Sequence, residues 1–219
     1  MQNVDQSTPR CPSPAPRERG RPRAFDREAA LVQAMRLFWI KGYEAASIAE
    51  LTKVMGIAST SLYAAFGSKD ELYAEALRHY ATTYRDLVLG RFDAAVTARE
   101  AALAYLQDSA VAMTGADCDL PHGCLVTLGA IGSDGHDQLG DLIRATRGGA
   151  YDVLMARLEE ARAQGELPSS LNLSELARYL QTVQSGMAIR ARDGANRAEL
   201  QAVAEIAMAG WDGIIARAR

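Results

Sequence analysis

From Asp26 to Leu72 the chain is punctuated in one way: a capping side chain, a short apolar stripe, then a glycine. Asp26 can cap a helix whose apolar residues Ala30, Ala34, Leu37 and Phe38 fall at i, i+4, i+7 and i+8, and Gly42 follows as a stop. Ser47-Ile-Ala-Glu50 has the capping-box pattern ahead of Ile48, Leu51 and Met55, and Gly56 closes that segment. Ser59 can cap a third segment, with Leu62 and Phe66 one turn apart before Gly67, and Ser68-Lys-Asp-Glu71 repeats the capping-box pattern. Spacings of three and four belong to a helix, because a strand brings every second residue to one face. A chain that starts this way has to pack short helices against one another.

The same period runs on. Tyr73, Leu77, Tyr80, Tyr84 and Leu87 alternate at steps of four and three, as expected of one long helix, and Leu103, Leu106, Ala110 and Met113 mark another. Residues 114–122, with Gly115 and Pro121, read as a loop and 123–133 as a short helix. A helix over 136–164 ends at Gly165, with Val153, Leu154, Leu158 and Ala161 inward. Two more open at Asn172 and Asn196, with stripes Leu176–Leu180–Val183–Met187 and Leu200–Val203–Ala207–Trp211–Ile214. No segment alternates convincingly with period two and no repeat appears, so the expected fold is all-α.

Three parts are expected: a flexible basic arm over 1–24, a DNA-binding unit over 25–72 and a helical domain over 73–219. The charge follows this division. Residues 1–72 hold ten Lys/Arg against eight Asp/Glu, which leaves fourteen against nineteen in the rest of a chain with 24 and 27. Arg17, Arg19, Arg21 and Arg23 fall within seven residues, as in a solvated tail or an arm that follows phosphates. The arm lacks the apolar stretch of a secretory signal, and no run of about 18 apolar residues occurs, so no membrane contact is expected. Three cysteines make no disulfide framework, and the chain reads as cytoplasmic.

Two short helices joined by Gly56-Ile57-Ala58, behind a longer one, make a helix-turn-helix pattern. The second of those helices would enter the major groove and offer residues near its start to base edges. Those residues are Ser59, Thr60 and Ser61, whose hydroxyls can meet bases or phosphates, with a Thr60 methyl suited to thymine. Tyr63 follows the inward Leu62, so its ring should be exposed and its hydroxyl can reach a phosphate. Lys69 opens the next helix, where backbone N–H groups and an ammonium together attract an anion. Taken as pattern alone, the same glycine-punctuated helices also suit a helical small-molecule-binding protein with no DNA function.

The residues themselves go further. Arg21-Pro-Arg23, Leu37-Phe38, Lys41-Gly42-Tyr43 and Ser47-Ile48-Ala49-Glu50-Leu51, then Gly56-Ile57 and Ser61-Leu62-Tyr63-Ala64-Ala65-Phe66-Gly67-Ser68-Lys69-Asp70-Glu71-Leu72, resemble the start of a TetR-family regulator over residues 19–72. Gly123-Cys124-Leu125 and Arg190-Ala-Arg192-Asp193-Gly194-Ala195 resemble one large subgroup of that family. The resemblance implies a homodimeric regulator, a repressor by expectation, that binds a palindromic duplex operator and leaves it when a small-molecule inducer enters the C-terminal domain. It implies that Ser47 contacts phosphate, that Ser59, Thr60 and Ala64 meet bases, and that Tyr63 and Lys69 hold the backbone, with Arg19, Arg21 and Arg23 supporting from the arm. Where the family often has an aromatic or His pair, this chain has Ala64-Ala65, so readout there is apolar and modest.

For the inducer, Tyr80, Tyr84, Tyr105, Met113, Cys124, Tyr151, Met155 and Tyr179 are the candidate lining, since aromatics with a few hydroxyls suit an apolar or amphipathic ligand. For the dimer, the candidates are Leu176, Leu180, Val183 and Met187 with Val203, Ala207, Trp211 and Ile214. Cys118, Asp119, His122 and Cys124 lie within seven residues. They can be read as small buried side chains, as a thiol switch or Cys118–Cys124 disulfide, or as soft-metal ligands, though the spacing matches no common zinc motif. With three histidines, no phosphate loop and no nucleophile elbow, no catalysis, cofactor or resident metal is expected.

Overall fold

The computed structural model describes residues 25–115, 118–129 and 136–218, so the arginines expected in the arm lie outside the described residues. The helices run in the order α1 (Arg27–Ala45), α2 (Ile48–Met55), α3 (Ser59–Phe66), α4 (Lys69–Thr83), α5 (Arg85–Ala94) and α6 (Ala98–Met113). They continue with α7 (Leu125–Leu128), α8 (Asp137–Ala163), α9 (Leu173–Arg192), α10 (Arg197–Ala209) and α11 (Trp211–Arg217). No strand occurs among the described residues, and the fold is all-α.

Local capping sets most of these boundaries. Asp26 Oδ1 accepts from the Ala29 N–H at 3.0 Å, and Ser47 with Glu50, Thr97 with Glu100 and Asn196 with Glu199 form reciprocal boxes. Each cap of this kind is worth about 1 kcal/mol. The third helix departs from the expected cap. Ala58 occupies its N-cap position, in extended backbone, and Ser59 is already helical. The hydroxyl expected to cap the helix is thus left on its outer face.

The helix expected from Ser68 through Leu87 breaks at Tyr84 (φ −103, ψ 5). Thr82 and Thr83 are poor helix formers ahead of the break, and Tyr84 turns its ring to within 5.8 Å of Trp39. The last helix likewise divides at Gly210.

Two packed clusters result. The first joins α1 to α4 with α7 and the start of α8 around Met35, Phe38, Leu51, Leu62, Leu72 and Tyr73. It runs past residue 72, taking in Leu77, Leu125 and Ile143. The second packs α6 and α8 to α11 around Tyr105, Leu106, Leu154, Leu180, Leu200 and Trp211. Cys124 packs against both.

The two C-terminal stripes fall differently from expectation. Leu176, Leu180, Met187 and Trp211 are 5% exposed or less and lie inside the chain's own core, so they offer no surface to a second copy. An amphipathic stripe fills its own bundle first, and periodicity does not distinguish that from an intermolecular seam. Val183, Ala207 and Ile214 pack partly against the same core, while Tyr179, Ile189, Val203 and Ile206 stay exposed. No helix among the described residues is long and apolar enough to cross a membrane.

Candidate nucleic-acid interface and the cavity beside it

The turn between α2 and α3 is built by its backbone. Gly56 adopts φ +66, ψ 31, which lets the Gly56 N–H donate to Lys53 O at 3.4 Å and the Ile57 N–H to Thr52 O at 3.1 Å. This is a Schellman closure, and a side chain at the left-handed position would strain it. From there the chain enters α3 with Leu62 and Phe66 buried, which turns Ser59, Thr60, Tyr63 and Ala64 outward. Ser61 is half-buried. Ser47 is exposed, though its Oγ accepts from the Glu50 N–H at 3.2 Å. Hydrogen bonds from Lys41 first, then from Ser47, hold the Glu50 carboxyl down at about 2.

Arg27 fastens α3 to its neighbours. Its guanidinium lies 4.3 Å over the Phe66 ring, donates to Ala65 O at 3.1 and 3.3 Å, and meets Glu75 of α4 through two bonds of 2.6 and 2.7 Å. The bidentate bond to Arg27 draws the Glu75 carboxyl below its usual range. Nothing in the sequence marks Arg27, because its partners lie on two other helices, Ala65 and Phe66 on α3 and Glu75 on α4. Lys69 Nζ sits 4.2 Å over the Tyr43 ring, whose hydroxyl donates to Asp70. His136 Nδ1 lies 3.1 Å from the other oxygen of that carboxylate, joining the start of α8 to the start of α4.

Next to this unit, α1, α4, α5, α6, α9 and the loop before α7 enclose a small cavity. Of the expected lining, Tyr80, Tyr84, Met113 and Cys124 are there, and Tyr105 is buried nearby. Three residues lie elsewhere. Tyr151 donates to Ser174 Oγ at 2.9 Å, Met155 packs partly on the second cluster, and Tyr179 is exposed and donates to Ala207 O at 3.0 Å. The lining also includes Leu87, from the same stripe as Tyr80 and Tyr84, and Trp39 and Gln184, which periodicity did not single out. Trp39 stands edge-on to Tyr80 with ring centroids 4.8 Å apart, so a residue of α1 forms one wall.

Gly123 places Cys124 in that wall. It has φ +84, and its N–H donates to Met113 O at 2.9 Å. A Cβ there would meet Leu128 Cδ1 at 2.5 Å and Ala188 O at 3.0 Å. Gly123→Ala is therefore expected to cost about 2 kcal/mol, read as a lower urea midpoint. An unchanged midpoint would show that the loop absorbs the methyl.

The Cys118–His122–Cys124 neighbourhood does not converge on a shared ligand. Cys124 carries a free thiol, so it is not bonded to Cys118. Asp119 points to solvent and pairs with Arg36 at 3.3 Å, and His122 is exposed. Among the described residues, no three His, Cys, Asp or Glu are grouped to hold a metal ion.

A helix-turn-helix on a helical bundle, with one outward polar helix face, defines a DNA-binding protein by its geometry. The family model for bacterial regulatory proteins of the tetR family matches residues 30–76. The transcriptional repressor ComR of Escherichia coli K12 is 31% identical over 202 residues, covering 91% of this chain and 95% of its own. BdcR, a repressor from the same organism, is 34% identical over 199 residues, 86% of this chain and 90% of its own. A solved structure of the TetR-family regulator CifR, a cysteine-substituted variant bound to a 26-bp operator duplex, is 39% identical with a TM-score of 0.82. It covers 88% of this chain and 100% of that one. The chain belongs to the TetR family of DNA-binding transcriptional regulators.

Proposed function

We propose that this protein represses transcription in the cytoplasm as a homodimer on a two-fold operator, and releases it when a small molecule enters the cavity beside Trp39. The observation that carries this reading is the Trp39 wall. A ligand there touches α1 of the DNA-binding unit directly, together with α4, which begins at the foot of α3. A ligand shifts such an equilibrium only by its different affinity for the two arrangements. On DNA, Ser59, Thr60 and Ala64 would face bases, Ser61 would support them, and Ser47, Tyr63 and Lys69 would meet phosphates, Lys69 after leaving the Tyr43 ring. The arm with Arg19, Arg21 and Arg23 would follow the adjoining groove. For the second copy, the apolar surface still uncovered on α9 and α10 includes Tyr179, Ile189, Val203 and Ile206, with Val183 and Ala207 partly covered. Pairing across a two-fold axis would set two α3 helices one helical turn apart, about 34–36 Å. The repressor names of ComR and BdcR and the operator-bound state of CifR support this reading.

The test starts from duplexes selected out of a random pool, with sedimentation and titration in parallel. Val203→Glu with Ile206→Glu should give a helical monomer that no longer holds the selected duplex. Tyr63→Phe and Lys69→Ala should weaken binding across sequences, and Lys69→Ala should lower the salt slope by about one unit, as for one lost phosphate contact. A wild-type protein that sediments as a monomer at micromolar concentration, or that enriches no duplex, would sink the proposal.

A further inference from the structure

The Tyr80 hydroxyl donates to Cys124 Sγ at 3.4 Å, and both residues line the cavity beside Trp39. Cys124 is half-buried and is the free cysteine among the described residues. Two more buried donors stand near it without an acceptor. The Trp39 indole N–H has none, and its side chain is in the cavity wall with the residue only 3% exposed. The Tyr105 hydroxyl has none either, at 2% exposure. Burial raises the Tyr105 hydroxyl's pKa, and the nearby Cys124 sulfur raises it further. A buried donor without an acceptor costs about 1–3 kcal/mol, and such groups ask for an explanation.

The cavity is about 30 Å³, room for roughly two waters, so a first occupant has few heavy atoms. A nucleophilic sulfur, a hydroxyl donor resting on it, and unpartnered donors close by suit one kind of guest. It carries an electrophilic carbon and, a short distance away, an oxygen that accepts hydrogen bonds.

We infer that Cys124 senses small α,β-unsaturated carbonyl compounds by conjugate addition, and that the adduct is a signal for DNA release. This rests on the ligand-released repressor proposed above. In the step, the sulfur's electron pair forms an S–C bond at the β carbon. The C=C electron pair moves toward the carbonyl oxygen, which can take the hydrogen bond that Trp39 or Tyr105 lacks. The thiol proton, passed through the Tyr80 hydroxyl, ends on the α carbon. The product is a thioether. Nothing leaves, and no oxidant or metal is consumed. The added atoms lie against the Trp39 ring, and so against α1.

The experiment treats the full-length protein with acrolein, maps the modified cysteine by peptide mass, and titrates a selected operator duplex. Acrolein should mark Cys124 and weaken operator binding by about tenfold or more, an ordinary size for coupling between sites. Cys124→Ser should hold the operator as wild type does and ignore acrolein. Tyr80→Phe should add acrolein several-fold more slowly. An adduct only elsewhere in the chain, a Cys124 adduct that leaves binding unchanged, or a Cys124→Ser protein that still lets go would each overturn the inference. So would release by hydrogen peroxide but not acrolein, which would indicate oxidation instead. Release by a compound that forms no adduct, with acrolein inert, would keep the repressor and remove the reactive thiol. An unmodified protein that binds no duplex would remove the repressor itself, and the sensor with it.

Discussion

Replacing Arg91 with alanine is expected to lower the stability of the fold by about 3 kcal/mol near neutral pH, with the loss shrinking on acidification. Asp108 of α6 is 1% exposed, and Arg91 of α5 reaches it with Nε at 2.8 Å from Oδ1 and 3.1 Å from Oδ2, and with Nη2 on Oδ1 as well. Burial raises the Asp108 carboxyl above its ordinary 3.8, and Arg91 opposes the rise. Without Arg91 the folded chain has to hold an unpaired buried carboxylate or protonate it. A carboxyl whose pKa is raised on folding contributes stability below its unfolded pKa and loses it as pH climbs through the folded value. The gap between Arg91→Ala and wild type should therefore be small below about pH 4 and largest near pH 7. Urea unfolding at both pH values measures it, and Asp108→Asn in the Arg91→Ala background should remove the pH dependence. A gap of equal size at both would show that Asp108 carries no uncompensated charge.

Arg192→Met should be nearly as costly, about 2–3 kcal/mol, because one side chain serves three carbonyls. From the end of α9 its Nε donates to His122 O at 3.0 Å, Nη1 to Ile40 O at 3.0 Å and Nη2 to Trp39 O at 2.6 Å. Trp39 and Ile40 come just before the break in α1 at Gly42 (φ +80, ψ 171), where the last carbonyls of the helical run lose their regular partners. Arg192 supplies the donors and ties α9 to both α1 and the cavity loop. Amide exchange should quicken around residues 39–44 and 122–125 in the variant, alongside a lower urea midpoint. Arg192→Lys should recover only part of the loss, since a single ammonium lacks the fork that meets several carbonyls. Full recovery with lysine would mean that only the charge matters.

Features encoded in four or five consecutive residues could be read from the sequence. Ser47 and Glu50, Gly56, Asn172, and Asn196 with Glu199 stand where their side-chain chemistry puts them. The α3 cap escaped by one residue, since Ala58 takes an extended position that no side-chain signal marks. The break at Tyr84 depends on a ring contact with Trp39, which is distant in sequence. The outward set on α3 followed from Leu62 and Phe66 being inward. The cavity was half legible: aromatics on α4 pointed toward it, but Trp39 and Gln184 join it only through the packing of α1 and α9. Arg192 was visible only as part of a family-like string, and its partners explain why the string holds an arginine. In the C-terminal stripes Leu176, Leu180, Met187 and Trp211 go to the bundle's own core and Val203 stays exposed. The period could not make that division, because a core and a second copy ask for the same spacing.

The fastening of α3 by Arg27 bears on what kind of control this protein can exert. Ala65, Phe66 and Glu75 are held from one guanidinium, so α3 turns together with α1 and α4 and is not reshaped by itself. An effector working through Trp39 would then tilt the whole head and leave the pattern of hydroxyls on α3 intact. It would change how strongly every site is held and by a similar factor, while the ranking of one operator sequence over another stayed the same. Occupancy would be adjustable, and the list of genes addressed would not.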